Sequence, residues 1–270
     1  AAHRGCPYQC IYCHNTLGKI YRTHSPEYII HYIDTLVTKY NVKEIQIVDD
    51  TFNLDMERAK RICRLIIEHR LNVSISFPNG IRTDYIDDEL LDLFEKAGVF
   101  RIIFGIESGD DQVQEKIKKK LDLALARENI IKASKRNFHL SAFFMLGFPG
   151  ETEEQIHHTI DYARNIPIHV ASFHYVTPYP GTGLEKYVPP GTDLKKFFFK
   201  QIADYHKTTI NLSSVPTKRL FYLKKVAVRS FYFDFFRIMS NVLLFKKNKI
   251  RMSLLFRNFL TVLKWSWTEW

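Results

Sequence analysis

Residues 44–67 read EIQIVDDTFNLDMERAKRICRLII, a strand, a polar junction and a helix in immediate succession. Glu44 to Val48 is a short β-branched run, and Asp49-Asp50 ends it. Asp55 then caps a helix whose Ala59, Ile62, Cys63, Ile66 and Ile67 share one face. The same unit recurs in both directions. Upstream, Ser25-Pro26-Glu27 supplies an N-cap, a first-turn proline and an early acid for a helix running to about Tyr40. Downstream, strands at 73–77, 101–106, 141–146 and 170–176 alternate with helices at 87–97, 110–136 and 151–164. Strands and helices alternating in this way imply right-handed crossovers and a parallel sheet. Polar residues come directly after each strand, as they would if those junctions gathered at one rim of a barrel. The expected fold is α/β: a partial (βα)6 TIM-like barrel over residues 1–185, its first strand truncated, with a helical extension at 186–270.

Composition agrees with a folded chain. Of 270 residues 46% are hydrophobic, while 11 Gly and 10 Pro exclude collagen-like and low-complexity readings. Residues 1–190 hold 23 basic and 25 acidic side chains, whereas residues 191–270 hold 16 against 4, so the whole basic excess lies in the extension. Arg4 and Cys6 stand where a secretory signal would need an apolar run, and the longest uncharged stretch, 165–184, is broken by three prolines. A cytoplasmic protein is expected. The abrupt start at Ala1-Ala2-His3, directly before the cysteines, suggests that an upstream segment has been removed.

Three of the four cysteines, Cys6, Cys10 and Cys13, form C-x3-C-x2-C, which is not how a secreted disulfide framework distributes its sulfur. Three thiolates on one short loop can serve a single inorganic centre but leave one position vacant. A structural zinc site would fill it with His3 or His14, making the chain a metal-stabilised binding module. A [4Fe-4S] cluster would instead leave one iron open to a substrate. Both readings stand at this point.

Six stretches occur in order: HRGCPYQCIYCHN at 3–15, DDTFNLD at 49–55, FPNGIR at 77–82, FGIESG at 104–109, FFMLGFPGET at 143–152 and TPYPGT at 177–182. Together they resemble the radical S-adenosylmethionine superfamily, within it the subfamily carrying cobalamin-binding domains, over about residues 1–185. The resemblance implies that Cys6, Cys10 and Cys13 bind three irons of a [4Fe-4S] cluster and that S-adenosylmethionine chelates the fourth. Reductive cleavage would then give a 5′-deoxyadenosyl radical that abstracts hydrogen from the substrate. It further implies that Asp49 and Asp50 meet the cofactor's ammonium and that Glu107 meets its methionine or ribose part. Tyr12, the backbone around Gly147 and Pro149, and that around Thr177 and Pro178 would cradle the adenine. Asn79 and Arg82 are candidates for the methionine carboxylate or the substrate, and Tyr8, Tyr175 and Tyr179 for hydrogen-atom or proton donors at the barrel mouth.

Each residue has a plainer alternative. An aspartate after a strand can simply cap a turn, Glu107 can be a structural ion pair, and tyrosines often only line walls. Cys63 reads as a small buried hydrophobe and His157-His158 as solvent-facing. The cobalamin domain itself is missing here: Asp204-Tyr205-His206 begins D-x-H-x-x-G but lacks the glycine, so cobalamin is an inference about a longer protein. The extension mixes lysine and arginine with aromatics, ending in Trp265, Trp267 and Trp270. Its helices suit either the barrel flank or a membrane surface, giving a peripheral location on the inner membrane face and an apolar, lipid-like small-molecule substrate. RNA is a third option, through base stacking on the aromatics. A reductant such as ferredoxin or flavodoxin is the implied partner.

Overall fold

The computed structural model describes residues 1–14, 16–194 and 210–234 together with Arg237 and Met239. Asp204-Tyr205-His206 and the tryptophan-rich tail lie outside these residues.

Five parallel strands make the sheet: β3 (Glu44–Gln46), β4 (Ser74–Ile81), β5 (Val99–Glu107), β6 (His139–Leu146) and β7 (Val170–Tyr175), in that spatial order. Strands pairing in sequence order with a helix between each pair are what right-handed βα units produce. The order has two open edges, so the barrel is partial. The first strand, β1 (His3–Arg4), does not extend this sheet. It pairs antiparallel with β2 (Arg22–Thr23), so the segment between them, which carries the three cysteines, leaves and returns to one point.

Local sequence explains the helices. Ser25 caps α1 (Pro26–Thr38), Asp55 caps α2 (Met56–Glu68) and Asp87 caps α3 (Asp88–Lys96), each side chain accepting a first-turn N–H. The helical stretch expected over 110–136 is two helices, α4 (Asp111–Lys116) and α5 (Leu123–Ser134), because Lys118 and Lys120 adopt left-handed backbone between them at φ 57° and 53°. Helix α6 (Glu153–Arg164) starts at a Thr152–Gln155 capping box rather than at Glu151.

The convex face of the sheet carries the core. Ile75, Phe77, Ile102, Phe104, Leu140 and Phe144 point at the helices and are all but inaccessible. Phe77 meets Phe52 and Phe94 at ring-centroid distances of 4.9 and 5.1 Å. Each such phenylalanine contributes about 1.5–3 kcal/mol through removal from water. Cys63 is buried among them, as expected, and burial pushes its thiol up to about 12. Helix α7 (Thr217–Tyr232) closes the far side, with Leu220, Leu223 and Phe231 in the same core, so this part of the extension packs on the barrel flank. No helix among the described residues is long and apolar enough to cross a membrane.

Candidate active site

The cysteine loop is fixed at both ends and in the middle. Gly5 has φ +83°, and a Cβ there would lie 2.2 Å from the Ile20 carbonyl oxygen, so only glycine lets the loop close on itself. The Ile11 N–H donates to the Ile117 carbonyl at 3.0 Å, and the Cys10 thiol lies 3.8 Å from the Lys118 carbonyl oxygen. Ile11 is also the hub of a small apolar cluster with Val113, Ile117, Phe148, Val176 and Leu184, residues drawn from the junctions after β5, β6 and β7. The rim gathering expected from the sequence is therefore physical contact: the cysteine loop packs on the carboxyl ends of the strands.

Glu107 ends β5 at a register shift with φ +69°, a conformation that costs a non-glycine residue about 1 kcal/mol. Gln114 supports the kink by donating to the Ile106 and Ser108 carbonyls at 2.8 and 2.6 Å. The turn aims the Glu107 carboxylate at Lys119, 3.0 Å away, and Lys119 donates onward to the Tyr12 hydroxyl at 3.2 Å. Burial pushes the Tyr12 phenol well up, with the negative charges of Glu107, Cys10 and Cys13 acting in the same direction. Lys119 was not singled out from the sequence, where it is one of four consecutive-looking basic residues at 116–120 and reads as a solvated run. The left-handed residues on either side of it turn its side chain inward.

Arg82 positions that turn. Its guanidinium is paired with Asp84, through Nε at 2.8 Å and through Nη2, and donates to the carbonyls of Lys119 at 3.1 Å and Lys120 at 3.3 Å. Tyr8 stacks on it, ring centroid 4.0 Å from the guanidinium carbon, and donates its hydroxyl proton to Tyr85 or accepts one at 2.8 Å. Asn53 completes the frame by binding the Arg82 backbone on both sides, N–H to Oδ1 at 3.1 Å and carbonyl to Nδ2 at 2.7 Å. Arg82, a candidate for the methionine carboxylate or the substrate, therefore has its guanidinium engaged by Asp84 and two backbone carbonyls. Asn79 is exposed and donates to the Val48 carbonyl at 2.8 Å.

Asp49 is engaged by the backbone too. Its Oδ1 accepts the Ala2 N–H at 2.6 Å and its Oδ2 the His3 N–H at 3.2 Å, so the carboxylate ties the first strand to the sheet. His3 Nε2 accepts the Thr51 N–H at 3.4 Å, while Nδ1 lies 2.8 Å from Asp49 Oδ2 without completing a hydrogen bond. His14 Nδ1 faces the Thr16 hydroxyl at 3.0 Å. Asp50 remains half-buried beside the loop, where its charge acts on Cys13.

The adenine-side candidates sit where the strand ends expect them. The N–H groups of Gly147 and Phe148 donate to Glu151 Oε2 at 2.6 and 3.0 Å, and Phe148 lies 5.8 Å from the Tyr12 ring. Pro149, Thr177 and Pro178 are buried beside them, and Tyr179 is half-buried with its carbonyl closing a turn onto Thr182. Burial pushes the Glu151 carboxyl up to about 7 against those two N–H donors. Tyr175 is the outlier: it alternates with Ala171 and Phe173 onto the convex side and stacks on Phe221 of α7 at 5.3 Å. It does not enter the barrel mouth. His158 is exposed as expected, though Nδ1 lies 2.8 Å from Asp110 Oδ2.

The donor set fits an iron–sulfur cluster. Burial pushes the Cys13 thiol up to about 11, with Cys10, Cys6 and Asp50 adding to it and Lys19 opposing; burial likewise raises Cys10, against Lys119. A cationic centre would reverse this, favouring the thiolates of Cys10 and Cys13. Among the described residues no three His, Cys, Asp or Glu side chains converge tightly enough to hold a single metal ion. Ligands to different irons of a cluster stand further apart than ligands of one zinc ion.

A partial βα barrel with three thiols on its first rim loop defines an iron–sulfur class of protein. The chain belongs to the radical SAM superfamily, whose family model matches residues 2–163. It is 34% identical over 186 residues to an uncharacterised methyltransferase of Pyrococcus horikoshii, covering 68% of this chain and 40% of that protein. It is 30% identical over 213 residues to cytidylyl-2-hydroxyethylphosphonate methyltransferase of Streptomyces wedmorensis, covering 73% and 40%. Among solved structures, it matches the methyltransferase TsrM from Kitasatospora setae, which has cobalamin and a [4Fe-4S] cluster bound. The TM-score is 0.61 at 20% identity, with 68% of this chain and 38% of that one covered. The chain spans about 40% of the length of the two methyltransferases just named. Membership makes a [4Fe-4S] cluster and S-adenosylmethionine the cofactors.

Proposed function

We propose that the chain is the radical-generating part of an enzyme that methylates or cyclises a small organic substrate with an apolar portion. When bound, the cluster supplies the electron that cleaves S-adenosylmethionine to a 5′-deoxyadenosyl radical. Cys6, Cys10 and Cys13 would hold three irons of the cluster, and Ile11 moors their loop against the rim. Asp50 takes the cofactor's ammonium, an electrostatically apt partner beside the cysteines. Glu107, held by Lys119, orients the methionine or ribose part, while Tyr12 and the Gly147–Pro149 and Thr177–Pro178 backbones flank the adenine. The packed rim excludes water from the reacting atoms. Of the three tyrosines read as donors, Tyr8 belongs to the cysteine loop and Tyr175 faces away from it.

The observation that carries this reading is the contact of Ile11 and Tyr12 with the ends of β5, β6 and β7, which puts the thiols over the barrel's open end. The methyl-transfer form calls for cobalamin, which is bound in the solved TsrM and OxsB structures. A low-potential donor such as ferredoxin or flavodoxin supplies the electron. Anaerobic reconstitution tests the proposal: the protein should take up iron and sulfide in equal amounts and release 5′-deoxyadenosine from S-adenosylmethionine with dithionite. A single zinc without sulfide would sink it.

A further inference from the structure

The concave face of the sheet is built unlike the interior of a closed barrel. Closed barrels fill their centre with layers of bulky branched side chains. Here the positions alternating with the convex core include Ser76, Arg101, His139, Ser141, Ser172 and His174. Strand register places the polar ones together at the amino-terminal end: Ser76 pairs with Arg101, Arg101 with His139, and Ile103 with Ser141. Side chains of paired residues in a parallel sheet stand on the same face, so these four form one patch.

The patch is electrically incomplete. Arg101 Nε, His139 Nδ1 and Ser141 Oγ are buried and have no hydrogen-bond partner among the described residues. His139 is 6% and Ser141 3% exposed, so neither borrows bulk water. Among the described residues Arg101 makes no ion pair; the carboxylate that acts on it is the exposed Glu44 of β3, against the desolvation that dominates its environment. A desolvated guanidinium beside unpartnered donors is costly until an anion arrives. A single trapped water would satisfy Ser141 and His139 but would leave the charge of Arg101 unmatched.

Above the patch the wall changes character. Ile103, Phe143 and Met145 continue the concave face toward the rim, Phe143 and Met145 half-exposed, and Glu107 lies six residues along β5 from Arg101, roughly 20 Å at about 3.3 Å per residue. We infer that this face is the binding trough for a small amphiphile whose anionic end, a carboxylate or phosphate, is received by Arg101, His139 and Ser141 while its apolar body lies along Ile103, Phe143 and Met145 toward the cysteine rim. This deepens the function proposed above and rests on it only in placing the reacting end at the rim.

The test uses the full 270-residue chain after anaerobic reconstitution, with iron and sulfide measured on the same sample. Dodecyl phosphate, dodecanoate and dodecanol are titrated calorimetrically below their micelle-forming concentrations. At least one of the two anions should bind at one per chain, about tenfold or more tighter than the alcohol, and the tighter anion names the head group. Arg101→Gln should weaken the anion about tenfold and leave the alcohol unchanged. Glu44→Gln, at an exposed position that leaves the fold intact, should tighten the anion a few-fold. Equal binding of alcohol and anion, unchanged anion binding by Arg101→Gln, or weakening by Glu44→Gln would overturn the inference. Because the cluster is counted in the same sample, a cluster-loaded protein without anion preference overturns the trough and leaves the radical function standing.

Discussion

The two faces of the five-stranded sheet come from the same strands and differ in everything but backbone. On the convex face every second residue of β5 and β6 is apolar and sealed: Ile102, Phe104, Ile106, Leu140, Ala142 and Phe144 all have no exposed surface. On the concave face the intervening positions mix Arg101, His139, Ser141 and Gly105 with Ile103, Phe143 and Met145, and part of that surface is open. A parallel sheet buried on both sides reads as a continuous hydrophobic run. One that alternates has one face for the core and one for something else. Stability is assigned to the first face, and chemistry is left to the second and to the rim above it.

That division can be broken by substitution. Replacing Cys10 by Ser should abolish cluster uptake and 5′-deoxyadenosine release, as iron analysis and chromatography would show, while the thermal melt of the metal-free chain barely moves. Phe104→Ala on the convex face should do the reverse, costing about 3–5 kcal/mol in a urea titration. Lys119→Met lies between the two. It strands the buried Glu107 carboxylate, so a loss of about 3 kcal/mol is expected together with weaker iron retention.

The pH response gives a smaller effect. Burial, reinforced by neighbouring positive charge, holds His139 down to about 3, and burial holds His169 down to about 4. An unfolded histidine takes up its proton near pH 6.5, so between about pH 6.5 and 4 the unfolded chain binds more protons and stability falls on acidification. Glu151 acts oppositely. Its folded value of about 7 exceeds that of a free glutamate, so the native state holds the extra proton and loses stability as pH rises toward 7. Melting temperatures from pH 4 to 8 should therefore rise more steeply with pH in Glu151→Gln than in the parent protein. Smallest of all, Tyr175→Phe should leave radical generation unchanged, because that hydroxyl is on the convex side.

Much of the fold was legible because helix caps and β-branched runs are local signals. Ser25, Asp55 and Asp87 each cap the helix they announce. Two features were not legible. The antiparallel pairing of His3–Arg4 with Arg22–Thr23 depends on a loop closure at Gly5 and Ile20 that no periodicity reports. Glu151 reads as a helix starter, yet it folds back to accept the Gly147 and Phe148 N–H groups. At the site, residue type located the cysteines, Tyr12 and Glu107, but not their partners. Asp49 and Arg82 carry the charges that cofactor binding would want, and only the structure shows those charges spent on Ala2, His3, Asp84 and two lysine carbonyls. Lys119 was hidden by its neighbours, since a run of lysines gives no sign of which one turns inward.

Ile11, at the centre of the cysteine loop, touches partners as distant along the chain as Leu184. On the ribosome, therefore, the three thiols emerge well before the seat that Leu184 completes. A nascent chain that has not yet released its final strand offers iron only a loose, unshaped loop, so metallation by the cell's assembly machinery must wait until synthesis has passed the far side of the rim.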